Sequence, residues 1–541
     1  MEQQSDLQKR LLLALTLSFV VFIAFDLFMP KPIKPLDANV TSKTEQVKVE
    51  ESTAPQVVNT TTSAPAPSVA STLTAPSTNS AAPVSTFKVL TSVNSDRFIY
   101  SIDELGRIAQ VKMLEKKYEY EGEKLKLLNP NWVKPLEIRF SDKALNEEAL
   151  KTPYSTSAES VYLASGGTKV TLTQKLSSTT VTKELTFYQD GHYDLNINLS
   201  TPQPYFVMPG RRPNADHTIY MVNQGAMLKK SAGEILIIED GDADSEDKLN
   251  GINIDFASSF DRYFASILYD FDKPLKVYTQ ITADENALVF IQGEQSFALH
   301  GYLGPKESTV LANINPKLTD AIEYGVITFF AKPLFQLLEW FHNLVGNWGW
   351  AIVLVTLLIK LVLFPLSYKG MMSMQKLKDL APQMKELKTK YGKDPQKMNM
   401  KMMEMYKKEG ANPMGGCLPM LMQIPIFFAI YRVLLNAVEL QGAEWALWIA
   451  DLSIKDPFYV LPILMGASMW YQQKLTPNTM TDPMQQKIFQ WLPVVMTIFF
   501  LTFPAGLVLY WLVNNLFTIA QQFVINSAYE KQKAAKAALR K

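Results

Sequence analysis

Four histidines, one cysteine and a few polar residues set inside apolar runs are the groups of this 541-residue chain that could do chemistry. His192, His217, His300 and His342 all lie outside the apolar runs. An intramembrane serine hydrolase would therefore lack its base, and a His-ligated metalloprotease its ligands. Gly466-Ala467-Ser468-Met469 has the outline of a membrane serine nucleophile, but without a histidine it reads as a small-residue contact between helices. No Walker-type phosphate loop occurs. The lone Cys417 excludes an intrachain disulfide or a multi-cysteine metal site. The acidic run Asp240, Asp242, Asp244 departs from a calcium loop, since Ser245 replaces the required glycine and Gly251 stands where the bidentate glutamate belongs. The inventory describes a chain that performs no covalent chemistry, hydrolyses no nucleotide and uses no metal or cofactor.

What remains is polarity where lipid would be. Lys360 sits in the apolar run Ala351 to Leu366, with Thr356 one turn earlier on the same face. A lysine at a lipid-facing helix centre costs ~2.5–3.5 kcal/mol even on the lenient insertion scale. Two readings stand: Lys360 faces a water-filled groove, or its side chain snorkels to the cytoplasmic interface about 10 Å away. Gln423, Asn514, Asn515, Gln521 and Gln522 are further polar groups inside apolar runs, and one polar-lined cavity would satisfy them all. The interiors of the later runs hold no acidic residue for Lys360, which favours a hydrated groove over a buried salt bridge.

The elements that must position these residues are five candidate spans, near 348–367, 416–437, 457–472, 488–503 and 505–525. The third and fourth, at about 16 residues, are near the lower limit for a ~30 Å core and predict a locally thinned bilayer. A sixth span is the run Leu11 to Met29, read as an uncleaved anchor over 1–30, with a cleaved signal peptide as the alternative. Residues 31–86 are rich in Ser, Thr, Ala and Pro and read as a disordered tether.

Over 87–315 the pattern has period two. Val181, Lys183, Leu185, Phe187 and then Tyr193, Leu195, Ile197, Leu199 alternate with polar residues around a turn at Asp190-Gly191. This predicts an all-β sandwich. Residues 316–346 carry an amphipathic stretch, Ile322 to Leu344, too charged to span. It reads as an interfacial helix, or alternatively as the last helix of the β domain.

Charge sets the expected topology. The loop 369–411 holds eleven lysines, which places it in the cytoplasm, and the basic tail 528–541 falls on the same side after four more crossings. Both termini are then cytoplasmic and the β domain lies outside. The loop reads as a helical hairpin broken at Gly392-Lys393-Asp394-Pro395. Its nine methionines suit a surface that accepts varied apolar partners, or one that packs on itself, and its lysines suit lipid headgroups or ribosomal RNA. The net charge of +1 gives no whole-molecule attraction to nucleic acid.

Four motifs carry a family resemblance: Asn347-Trp348-Gly349-Trp350, Asn412-Pro413-Met414-Gly415-Gly416-Cys417-Leu418-Pro419, Asp482-Pro483-Met484-Gln485-Gln486-Lys487, and Phe503-Pro504-Ala505-Gly506-Leu507-Val508-Leu509-Tyr510-Trp511. Together they resemble the YidC insertases, most strongly over 320–527, and the anchor, tether and β domain resemble the Gram-negative form. The resemblance implies a polytopic α-helical protein of the bacterial inner membrane, with six transmembrane helices and a large periplasmic β-sandwich. Residues 347–527 would form a five-helix insertase core, acting alone or with the Sec translocon on nascent membrane proteins. Contacts with the ribosome, through the hairpin and tail, and with lipids are further expectations, as is a monomeric state. By position the groove charge is Lys360, lined by Thr356, Gln423 and Asn515, with Phe427, Tyr510 and Trp511 touching substrate. The family commonly has arginine at Lys360 and tyrosine at Trp511, so the charge is kept but the bidentate fork is not. A polytopic transporter or channel is the rival, disfavoured by the lack of an internal repeat or paired broken helices. A membrane-anchored β-domain receptor would leave the polar spans unexplained.

Overall fold

A computed structural model describes residues 88–538 except 121, 216–222, 393, 410–417 and 477–482. The expected anchor and tether, His217, Cys417 and most of the Asn412–Pro419 motif lie outside the described residues.

Between Val89 and Pro305 the chain forms a four-stranded and a 13-stranded sheet, with a small two-stranded ribbon. The period-two stretches pair as expected: Thr180–Phe187 and His192–Leu199 are antiparallel, with Val181 opposite Leu199 and Phe187 opposite Tyr193. Every second residue of both strands is buried. Gly191 adopts φ +93° in the connecting turn, a conformation that favours glycine. Strand Thr168–Lys175 flanks one side of this hairpin and strand Ser296–Pro305 the other. Tyr100 of the small sheet packs on Phe187 of the large one, ring centres 5.2 Å apart, and donates its hydroxyl to Leu303 O at 2.6 Å. The two sheets thus share one apolar core. Two short helices, α1 (Lys143–Ala149) and α2 (Ser308–Ile314), belong to this domain.

The C-terminal part is helical. Helix α3 (Thr328–Val345) ends at Gly346 in the left-handed region, φ +68°. Helix α4 (Trp348–Val362) starts at once, its first turn capped by the Asn347 side chain, which accepts from Trp350 N at 3.0 Å. The span expected over 348–367 does not run straight. It breaks at Leu363, and α5 (Phe364–Tyr391) leaves at 64°. Pro365, in the first turn of α5, cannot continue the hydrogen-bond ladder of α4. Helix α6 (Pro395–Lys408) returns against α5, with Asp394 as its cap. Helices α7 (Leu418–Asn436), α8 (Val460–Leu475), α9 (Pro483–Phe500) and α10 (Ala505–Ala538) follow.

By length and apolarity one described helix, Ala505–Ala535, can cross a membrane, or two if the bent α4–α5 pair is counted as one span. The expected count of six is therefore not established by the described residues. The physical reason is visible in α8 and α9: α8 has 16 residues and carries Gln472, Gln473 and Lys474 in its last turn, while α9 carries Gln485, Gln486 and Lys487 near its start.

The bundle is nevertheless inverted relative to a water-soluble one. Trp491, Val495 and Ile498 of α9, Ile463 and Trp470 of α8, and Leu516, Phe523 and Val524 of α10 are exposed, while Ser468 of α8 and Asn515 and Gln522 of α10 are buried. At one end of the bundle the β domain docks: buried Arg262 donates Nε to Leu435 O near the end of α7 at 2.6 Å, and Asn436 Nδ2 donates to Glu323 O at 3.0 Å. At the other end α5 lies along the last turns of α10. Gln375 bonds Asn526 at 2.6 Å, and Asp379 accepts from Tyr529 at 2.9 Å and pairs with Lys533 at 2.8 Å.

Candidate functional site

The interior of α10 carries two polar stripes. Tyr510, Asn514, Thr518 and Gln521 recur at helical spacing on one face, and Asn515 and Gln522 on the next. Neighbouring helices supply partners for each stripe.

Lys360, near the end of α4, is 8% exposed, and its Nζ donates to Thr518 Oγ1 at 2.9 Å. Thr518 in turn donates to Asn514 O at 2.7 Å, and Gln521 Nε2 reaches Lys360 O at 3.3 Å. From α7, Gln423 Nε2 donates to Asn514 Oδ1 at 3.2 Å and approaches the Tyr510 hydroxyl at 3.4 Å. A continuous row of polar groups thus links α4, α10 and α7. Lys360 lies against α10 rather than reaching out to an interface, which argues against snorkelling in this conformation. Among the described residues no carboxylate lies within ion-pair distance of Lys360.

The other expected lining residues divide. Thr356 is buried, but its hydroxyl donates to Ile352 O of its own helix at 2.7 Å, so its polarity is spent locally. Asn515 points away from Lys360 to α8, donating to Ser468 Oγ at 3.1 Å, while Ser468 donates to Met465 O at 2.6 Å. Gln522 approaches Thr476 at 3.4 Å on the same side. One cavity does not serve all these groups, because adjacent positions on a helix differ by about 100° in direction. Gly466 fits its reading as a close helix contact: a Cβ there would lie 1.8 Å from Thr497 Oγ1 of α9.

The aromatic residues form a second patch beside the polar row. Phe427 meets Trp511 edge to face at 4.6 Å, and Trp511 also packs on Phe500 at 5.0 Å. Phe503 joins Phe500 and Tyr431 to this cluster. Phe427 and Trp511 are only partly buried, whereas Tyr510 is buried. The arrangement sets apolar, polarizable ring faces next to a cationic polar row. That combination suits an extended chain with both apolar and charged residues better than a small ligand.

Thr518, the direct partner of Lys360, is the residue that reading the sequence missed. Its signal was present: it stands four residues after Asn514 and three before Gln521.

Comparison with known proteins assigns both halves of the chain. The family described as "60Kd inner membrane protein" matches residues 340–533, and the family described as "YidC periplasmic domain" matches residues 90–337. A relative from Campylobacter jejuni, "Membrane protein insertase YidC", is 47% identical over 529 residues, covering 97% of this chain and 97% of the relative. One of the same name from Wolinella succinogenes is 48% identical over 536 residues, covering 98% and 97%. Among solved structures, "Active YidC insertase crystal structure with the first transmembrane domain resolved" aligns over 80% of this chain and 94% of that one, at 20% identity and a TM-score of 0.34.

Proposed function

The chain belongs to the YidC family of membrane protein insertases, and from that premise we propose how its own residues carry insertion. It is a membrane protein insertase of the inner membrane, with a periplasmic β domain, and it acts on membrane proteins being made. The proposed working surface is the row Lys360–Thr518–Asn514–Gln423–Tyr510, with Phe427 and Trp511 beside it. The observation that carries this reading is an ammonium held between helices by a hydroxyl, with no carboxylate among the described residues to neutralise it.

On this reading the row is a hydrated groove open to the cytoplasm and to lipid. One positive charge part way into the bilayer attracts the acidic residues of a short polar tail, which lowers the barrier to its crossing. The apolar helix behind the tail then leaves sideways into lipid, and its partitioning drives the step. Thr518 holds the ammonium until a client carboxylate replaces it. No nucleotide is consumed. Six membrane crossings, cytoplasmic termini, a monomeric state, cooperation with Sec and a ribosome contact through the basic hairpin belong to the same proposal. The eleven lysines of the loop 369–411 support the orientation.

Reconstitution into proteoliposomes tests the function. A newly made single-span protein should acquire a protease-protected fragment only when the chain is present, without any flux of small solutes. Solute flux with no protected fragment would favour a transporter instead.

A further inference from the structure

The loop 441–459, between α7 and α8, faces its side chains the wrong way for water. Its two aspartates are turned inward. Asp456, 1% exposed, accepts from the Trp448 indole at 2.9 Å and from Leu461 N at 2.7 Å, while Asp451 accepts from Ser453 N and Oγ, both at 2.7 Å. What the loop presents outward is largely apolar, with Glu444 and Lys455 as its exposed charges: Leu447 is 91% exposed, Phe458 66% and Ile454 47%. A loop in water normally does the reverse.

This arrangement is held rigidly. Leu447 and Tyr459 both have φ +57°, a left-handed backbone that costs a non-glycine residue about 1–2 kcal/mol. The surroundings that enforce it come from two helix ends. Asn347, the cap of α4, donates Nδ2 to Glu444 O at 3.0 Å and to Trp445 O at 3.1 Å. Ala505 N and Gly506 N, opening α10, donate to Ile454 O at 2.7 Å and Leu452 O at 2.9 Å. Strain maintained to expose a leucine implies that something apolar meets it.

We propose that this loop is a lipid-seated wedge, with Leu447, Ile454 and Phe458 inserted among the acyl chains of the leaflet next to the β domain. Lipid is the occupant because exposed apolar residues of the neighbouring helices flank the loop. Trp350 of α4 meets Trp445 edge to face at 5.9 Å and is itself exposed. Exposed Ile463 and Leu464 begin α8, and exposed Phe499 ends α9. The single exposed cation, Lys455, lies 5.8 Å from the Tyr459 ring, a pairing suited to headgroup depth. The wedge sits where α8, only 16 residues long, begins, and so fixes how far the bilayer must thin to meet it. The inference rests on the multi-span reading above but not on the groove.

The test uses the full chain, made cysteine-free by Cys417→Ala, in phosphatidylethanolamine/phosphatidylglycerol vesicles. Single nitroxide labels go at Leu447→Cys, Ile454→Cys and Phe458→Cys, with Leu516→Cys as bilayer reference and Ser245→Cys as water reference. Collision rates with oxygen and with a water-soluble nickel chelate report depth. The three loop labels should show an oxygen-to-nickel ratio several-fold above that at Ser245 and approaching that at Leu516. A ratio like that of Ser245 would make the loop water-facing and overturn the proposal. Low collision with both reagents would mean that protein, a second copy or a partner, covers the loop, and would equally overturn it. A water-like ratio at Leu516 would overturn the multi-span reading as well.

Discussion

Lys183 occupies an inward position in a strand whose other inward residues are Val181, Leu185 and Phe187. It is fully buried, and Nζ donates to Gly106 O at 2.9 Å and Leu136 O at 2.8 Å. Burial lowers its pKa from the ordinary 10.5 to about 7. A neutral amine still has two N–H groups for those two carbonyls. The unfolded chain keeps its proton up to the ordinary value, so between pH 7 and 10.5 unfolding takes up a proton and this group's penalty shrinks as pH rises. Below about pH 7 both states are charged and the penalty is complete. Lys183→Met should therefore be most favourable, relative to the native chain, at or below pH 7, with the advantage fading towards pH 10. Scanning calorimetry of the β-domain transition in the detergent-solubilised chain measures this, and a pH-independent difference would refute the charge account. Alternation alone predicted that Lys183 points inward. It did not reveal the two carbonyls, which come from Gly106 and Leu136, far away in sequence.

At the scale of elements, what was legible had local causes. The β-hairpin could be read from alternation and Asp190-Gly191, and the helical hairpin from Gly392-Lys393-Asp394-Pro395, because turn chemistry acts over a few residues. The break between α4 and α5 was written in Phe364-Pro365, but the unbroken apolar run outweighed it. The site was legible as residue types and not as an arrangement. Asn514 and Asn515 look equivalent in sequence, yet the first bonds Gln423 of α7 and the second Ser468 of α8. Only helix packing decides which neighbour each stripe meets. The contact of α8 with α9 tests that packing. Gly466→Ala would drive a methyl group into Thr497 and should lower stability by about 1–3 kcal/mol. Adding Thr497→Ala, which clears the space, should recover most of the loss in thermal unfolding. No recovery in the double variant would mean that the helices do not meet at this point.

At the scale of the whole molecule, the helix ends beside the β domain and the ends beside the α5–α6 hairpin lie at opposite ends of the bundle, as a protein with two wet faces requires. In the Cys417→Ala background, a cysteine at Ser373 should react with impermeant reagents only from the cytoplasmic side, and one at Ser245 only from outside. Reversed labelling would invert the proposed topology.

The central claim is that the charge of Lys360 helps a client's tail across. A unit charge pair about 10 Å apart at an effective dielectric near 20 is worth about 1.7 kcal/mol, on the order of tenfold in rate or yield. The most direct measurement is insertion yield at matched insertase levels for two clients that differ only in tail charge, one acidic and one neutral. Lys360→Arg should support both. Lys360→Ala should lower the acidic-tailed client on the order of tenfold more than the neutral one, and Lys360→Glu further still, because attraction becomes repulsion. If Lys360→Ala inserts both clients equally well, the ammonium held by Thr518 is a packing feature of the bundle and not the working group of the insertase.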